Sequence, residues 1–235
     1  MYVPKHFEER DPERLRSFIQ RYPLGSLVTA TESGLDANHI PFLFTDTGGA
    51  AGTLHGHIAR ANPLWREGVR DAAALVIFQG PNSFISPSWY PSKRENARVV
   101  PTWNYAVVHV HGVLRFVDDP AWVRSHVEAL TREHEGKRDP PWAVTDAPAD
   151  YVDKMVAAVV GIEMSITRLL GKWKVSQNRS IRDRVGVIEA LEREALPSGT
   201  TIAALIRETL HGGAVDSPPT SINQDTSPHQ ANGRR

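Results

Sequence analysis

The chain has 235 residues with 27 basic and 27 acidic side chains and a pI near 7.2, which suits one or two globular domains and gives no net charge to attract a polyanion. It has no cysteine, which excludes disulfides, thiolate nucleophiles and cysteine-ligated zinc or iron–sulfur centres. The opening residues lack the apolar core of a leader and no apolar run of about 18 residues exists, so the expectation is a cytoplasmic protein with no membrane span.

Asp11-Pro12-Glu13 predicts a helix start: an acceptor at the cap, a proline where a missing N–H costs nothing, and a carboxylate in the first turn. Leu15, Phe18, Ile19 and Tyr22 then form one apolar face that stops at Pro23. From Gly25 the period becomes strand-like. Residues 26–30, 37–44, 51–57 and 73–78 are short apolar runs between turn clusters, the cadence of an antiparallel meander that closes into a barrel.

Residues 78–105 hold four prolines, two tryptophans and two tyrosines. Their X-Pro steps predict an extended, turning path without regular structure. Its aromatic content is that of a loop packed around a planar ligand or a partner subunit.

Residues 105–117 form the longest predicted strand, with Val108, Val110, Leu114 and Phe116 on one face, His109, His111 and Arg115 on the other, and Gly112 as a bulge. Helices are predicted after Asp119-Pro120 and over 146–160, and a returning strand over 161–170. The basic segment 171–184 comes next, followed by helices over 187–194 and 200–210. The whole reads as α+β, mainly antiparallel β, with a barrel domain over 1–170, a helical C-terminal appendage over 171–212 and a disordered tail over 213–235.

Three clusters carry chemistry. His55 and His57 share a strand face and Arg60 follows, so three cationic or donor groups converge before Asn62-Pro63, an arrangement that suits a phosphate. The plainer reading is two core or solvated histidines and a surface ion pair. His109 and His111 form a second His-x-His pair, which leaves a metal or haem ligand set open. No carboxylate accompanies either pair, and Arg60 and Arg115 make a poor field for a divalent cation. Finally, the segment from Lys172 to Arg179 combines Lys172, Lys174 and Arg179 with Trp173 and Gln177. It reads equally as a grip on an anion or a nucleic-acid backbone and as a solvated connection into a helix capped by Ser180.

The motifs MYVPKHF, LHGHIARANPLW, FISPSWYPSK, VPTWNY, VHVHG and KVSQNR, in this order over about residues 1–210, resemble the PaiB family of FMN-binding negative transcriptional regulators. That resemblance implies an FMN-binding split β-barrel with flanking helices, a homodimer, and FMN shared across the subunit interface. It points to His57, Arg60 and Asn62, with His55 beside them, at the FMN phosphate. The same reading places Ser86, Ser88, Trp89 and Lys93 along the isoalloxazine. Trp103, Asn104, Lys174, Gln177 and Arg179 then close the site. A transcriptional regulator contacting DNA through 172–184, an FMN-dependent oxidoreductase acting on a small molecule, and a haem-binding or haem-degrading protein are the functions it leaves in competition.

Overall fold

The computed structural model describes residues 1–31, 34–46, 52–67 and 71–211. The predicted tail and the Ala51 end of the third predicted strand lie outside these residues. Eight strands run β1 (Glu8–Glu9), β2 (Leu24–Thr31), β3 (Gly34–Pro41), β4 (Leu43–Thr45), β5 (Thr53–Ala59), β6 (Ala72–Ile85), β7 (Thr102–Val117) and β8 (Val159–Lys174). They make one sheet in the order β3-β2-β6-β7-β8-β5-β4, with β1 on β8 and every pairing antiparallel. The sheet curls back on itself where Ile40 and Phe42, at the end of β3, come up against Gly56 of β5.

Alternation along the strands fills the interior. Leu27, Val76, Phe78, Val108, Val110, Ile162 and Met164 are buried there, and the intervening residues face outward. The bulge predicted at Gly112 is present as a register shift against β8, and a Cβ at Gly112 would lie 2.3 Å from the Ser165 carbonyl oxygen. Helix α1 (Pro12–Arg21) starts as expected, with Asp11 accepting from the Glu13 N–H.

Two expectations need correction. The Pro-rich stretch is not irregular throughout: β6 continues to Ile85 and β7 begins at Thr102, so its two flanks form one end of a long hairpin. Pro81 is tolerated because it falls where the β6/β7 register shifts and the ladder asks no N–H of it. The proposed boundary at residue 170 also falls inside a strand, because β8 carries Lys172, Trp173 and Lys174 in register with β7. Trp173 is buried against Phe18, ring centroids 5.0 Å apart, which explains an indole within a basic segment.

Short helices α2 (Pro63–Glu67) and α3 (Lys93–Asn96) interrupt the connections. Helices α4 (Pro120–Glu135) and α5 (Ala149–Ala157) enclose a small second core of Val123, Val144, Val152 and Val156. Helices α6 (Ile181–Glu194) and α7 (Pro197–His211) belong to the main core through Ile188, Leu191, Ile202 and Ile206. At about 2 kcal/mol per buried aliphatic side chain, that attachment makes the appendage an integral part of the fold. Among the described residues, no helix is long and apolar enough to cross a membrane.

Candidate functional site

The sequence-predicted residues gather at the two ends of the β7–β8 ribbon. At the first end, His55 and His57 alternate with Leu54, Gly56 and Ile58, so their rings leave the barrel and meet α4. Trp122 and His126 are spaced i, i+4 on that helix and stack at 5.2 Å and 17°. Trp122 lies so close to β8 that a Cβ at Gly161 would stand 2.3 Å from its Cζ3. His55 packs edge-on against Trp122 and sits 3.4 Å from a Glu163 carboxylate oxygen.

His57 Nδ1 and His126 Nε2 are 3.2 Å apart and share a hydrogen bond, while the buried His126 Nδ1 has no partner. Burial lowers the pKa values of His55 and His57, in the first case against the pull of Glu163. It takes His126 down to about 4, helped by His57 and His55. These rings are neutral at pH 7.

Arg60 donates to both carboxylate oxygens of Asp118, at 2.6 and 3.1 Å, and through Nε to the Ala157 carbonyl at 2.9 Å. Its partners raise its pKa, the hydrogen bond to Asp118 foremost. The pair is well exposed, so solvent screens it and an anion of higher charge competes effectively with Asp118. Asn62 caps α2 by accepting from the Leu64 N–H and donates to Asn38.

At the second end, Ser86 caps a short turn by accepting from the Ser88 N–H, and Lys93 reaches Ser88 Oγ at 3.3 Å. The Trp103 ring is 55% exposed and stands edge-on to Phe84 at 6.0 Å. Lys174 donates to the Trp103 carbonyl at 2.6 Å and to the Thr102 hydroxyl. Its pKa is lowered by burial first and by Lys172 and Arg179 next.

Gln177 closes a turn by donating to the Trp173 carbonyl and accepting from the Val175 N–H. Arg179 lies over the Tyr90 ring at 4.9 Å. Asn104 is buried and donates to Ser176 Oγ, while its Oδ1 has no hydrogen-bond partner and the Tyr90 hydroxyl interacts with Arg179 and Ser176. Ser176 holds a left-handed φ of 64°, costly for a non-glycine residue and found where surrounding structure fixes a functional backbone.

Glu163 and Lys174, which mark the two ends, are separated by eleven residues of β8, roughly 30–35 Å along the strand. The structure therefore unites Ser86, Ser88, Trp89, Lys93, Trp103, Asn104, Lys174, Gln177 and Arg179, and separately unites His55, His57, Arg60 and Asn62. The His-x-His pairs do not sit on neighbouring strands, since β8 lies between β5 and β7. Among the described residues, no group of three or more potential ligands is placed to hold a metal ion. Trp122, His126 and Asp118 escaped the sequence reading. Only the i, i+4 pairing of an indole with an imidazole on α4 hinted at them.

Residues 1–168 match the family described as "Putative FMN-binding domain". The chain belongs to this FMN-binding family. A Bacillus subtilis relative, "Protease synthase and sporulation protein PAI 2", is 31% identical over 210 residues, covering 89% of this chain and 98% of its own. An uncharacterized Emericella nidulans protein is 32% identical over 243 residues, covering 88% and 97%.

Among solved structures, the flavocytochrome Anf3 of Azotobacter vinelandii aligns with a TM-score of 0.53 at 13% identity over 73% of this chain and 72% of its own. An FAD and heme binding protein of Mycobacterium smegmatis aligns at 0.52 and 16% identity over 76% and 78%. These two share the fold, and the expected split barrel is present.

FMN is the family's cofactor, and the residues in hand fit it. The Trp89–Trp103 end offers aromatic side chains with hydroxyl and amide groups, and the Arg60 end offers a guanidinium held by the exposed Asp118 carboxylate and by the Ala157 and Val159 carbonyls.

Proposed function

We propose that the protein acts as a homodimeric FMN flavoprotein that performs flavin redox chemistry on a small molecule, with each flavin held between two protomers. The observation that carries this reading is the separation of the two residue sets by the length of β8. No single protomer can apply both to one cofactor, whereas a two-fold dimer that packs β7–β8 ribbons antiparallel sets the Arg60 end of one chain beside the Trp103 end of the other.

When bound, FMN supplies the electron and hydride transfer. The chain's residues would position it. Arg60 pairs with the phosphate in place of Asp118. Trp89 and Trp103 wall the ring, and Lys174, by holding the Thr102–Trp103 backbone, fixes the angle of the Trp103 indole. Tyr90 and Asn104 form the floor beneath that wall, the unpartnered Asn104 Oδ1 beside Ser176.

A complementation experiment tests the arrangement. Arg60→Ala and Arg179→Ala each damage both sites of their own homodimer. A heterodimer of the two keeps one site with both residues intact. Random co-assembly should then restore about a quarter of the wild-type FMN stoichiometry. Full binding by either variant alone, or no recovery on co-expression of two folded variants, would overturn the shared site.

The second reading is a transcriptional regulator, the role that the resemblance to the PaiB family implies; the Bacillus relative is named for protease synthase and sporulation. The positive charges of residues 172–184 bear on how such a role would work. Lys172 donates to the Tyr2 carbonyl, Arg182 pairs with Glu95 and Arg184 bonds Thr209, in addition to the engagements of Lys174 and Arg179 described above. Lys174, Arg179 and Arg184, held by part-buried partners, favour an indirect effect on transcription, through the flavin's redox state or its product, whereas the exposed Arg182–Glu95 pair is as displaceable as Arg60–Asp118.

A further inference from the structure

Beside the Trp103 end, a cleft of about 440 Å³ opens between the β6–β7 hairpin and the α6–α7 junction. Three aromatic side chains, Phe84, Trp89 and Trp103, line it together with Glu194 and Leu196. Phe84, Trp103 and Leu196 are 46%, 55% and 59% exposed, an unusual concentration of large apolar surface for one small area. Ser198 ties the cleft's two sides together: its hydroxyl accepts from the Asn82 N–H at 2.8 Å and donates to the Asn82 carbonyl at 2.6 Å. The cleft is thus a held feature of the fold.

Its electrostatics have one sign. Among the described residues, no lysine, arginine or histidine lines it, and Glu194 is the only charged group that does. Of the basic side chains on the adjoining elements, Lys174 bonds the Trp103 carbonyl, Lys93 bonds Ser88 and Arg207 pairs with Glu192. Helix α6 ends at Glu194 and α7 begins at Pro197, so their opposed dipoles largely offset each other and leave the carboxylate to set the field. The aromatic faces add the negative side of their quadrupoles. This combination repels a phosphate.

We propose that this cleft binds a small organic cation, a quaternary or protonated amine with a flat or methylated head, seated on Phe84, Trp89 and Trp103 with its charge toward Glu194. The walls from α6 and α7 lie beyond residue 168, where the match to the FMN-binding family ends. The cleft is therefore built jointly by the FMN-binding domain and the C-terminal helices. Trp89 and Trp103 also wall the flavin in the proposed function, on which the inference rests to that extent, so the occupant would lie against the same indoles.

Benzyltrimethylammonium, benzyl alcohol and benzoate are suitable probes, titrated by calorimetry at low salt into both FMN-loaded and FMN-free protein. The cation should bind the FMN-free protein, benzyl alcohol more weakly and benzoate weakest, and the FMN-loaded form reads how far the two ligands share the indoles. Glu194→Gln, at an exposed position, should weaken the cation about five-fold while leaving FMN affinity unchanged, and Trp103→Ala should weaken it about ten-fold. Two results would each overturn the inference: benzoate binding as well as the cation, or indifference of the cation to Glu194→Gln. Failure of the shared flavin site would appear separately, as absent FMN recovery in mixed dimers with cation binding intact.

Discussion

Lowering the pH should loosen α4 from the barrel, and His126 sets the size of the effect. A histidine whose folded pKa lies below its unfolded value contributes fully above the unfolded pKa and loses that contribution as pH falls toward the folded one. His126 is buried and falls from 6.5 to about 4, chiefly through desolvation and then through His57 and His55. Between pH 4 and 6.5 the unfolded chain therefore binds a proton that the folded chain refuses. The stability lost relative to pH 7.5 is about 2 kcal/mol at pH 5 and about 3 kcal/mol at pH 4 from this residue alone. His57 and His55, also lowered by burial, act in the same direction.

Urea unfolding at pH 7.5 and pH 5, at fixed protomer concentration, measures the difference. His126→Gln is the informative variant, since its amide can still reach His57 but does not titrate. It should cost about 1 kcal/mol at pH 7.5 and then recover most of the pH-dependent loss. Identical pH dependence in wild type and variant would show that the imidazole under α4 is not the group refusing the proton.

Other outcomes follow from the same geometry. FMN should bind more tightly than riboflavin, and Arg60→Ala should narrow that gap at least ten-fold in calorimetric titrations. Size exclusion with light scattering should give a dimer at micromolar concentration; a monomer would remove the basis for a shared site. Gly161→Ala drives a methyl into Trp122 and should cost about 1–3 kcal/mol in urea unfolding, whereas no loss would show that α4 moves freely on β8. Binding to promoter DNA, if direct, must fall steeply with salt and with Lys172, Lys174 and Arg182 replaced by alanine, as a gel-shift titration would show.

Much of the fold was legible because local chemistry and tertiary structure agree. The Asp-Pro starts of α1 and α4 and the alternation through Val108, Val110 and Leu114 need no long-range information. The hairpin flanks around residues 78–105 were hidden because Pro81 falls at a register shift, where the proline rule does not forbid a strand. Trp173 misled for a related reason: alternation along β8 turns it inward between Lys172 and Lys174, so two cations flank a core residue. The site was half legible. Residue types in the motifs mark both ends, but which carboxylate holds Arg60 and which helix covers His57 are decided by Asp118 and His126, distant in sequence.

The placement of charge gives the firmest ground for weighing flavin chemistry against DNA binding. A protein that grips a duplex needs a run of cations free to exchange counterions for phosphates. Here the cations of 172–184 each hold something of the chain's own: Lys172 the N-terminal segment, Lys174 the Trp103 backbone, Arg179 the Tyr90 ring, Arg182 the α3 carboxylate and Arg184 a hydroxyl on α7. Moving Lys174 or Arg179 onto DNA would release Trp103 or Tyr90, the residues that shape the aromatic wall. A direct DNA complex would therefore have to disassemble the proposed flavin wall to form. If binding to promoter DNA is ever detected, it should weaken on FMN loading, and DNA affinity that is indifferent to FMN would show that these cations are not the contact.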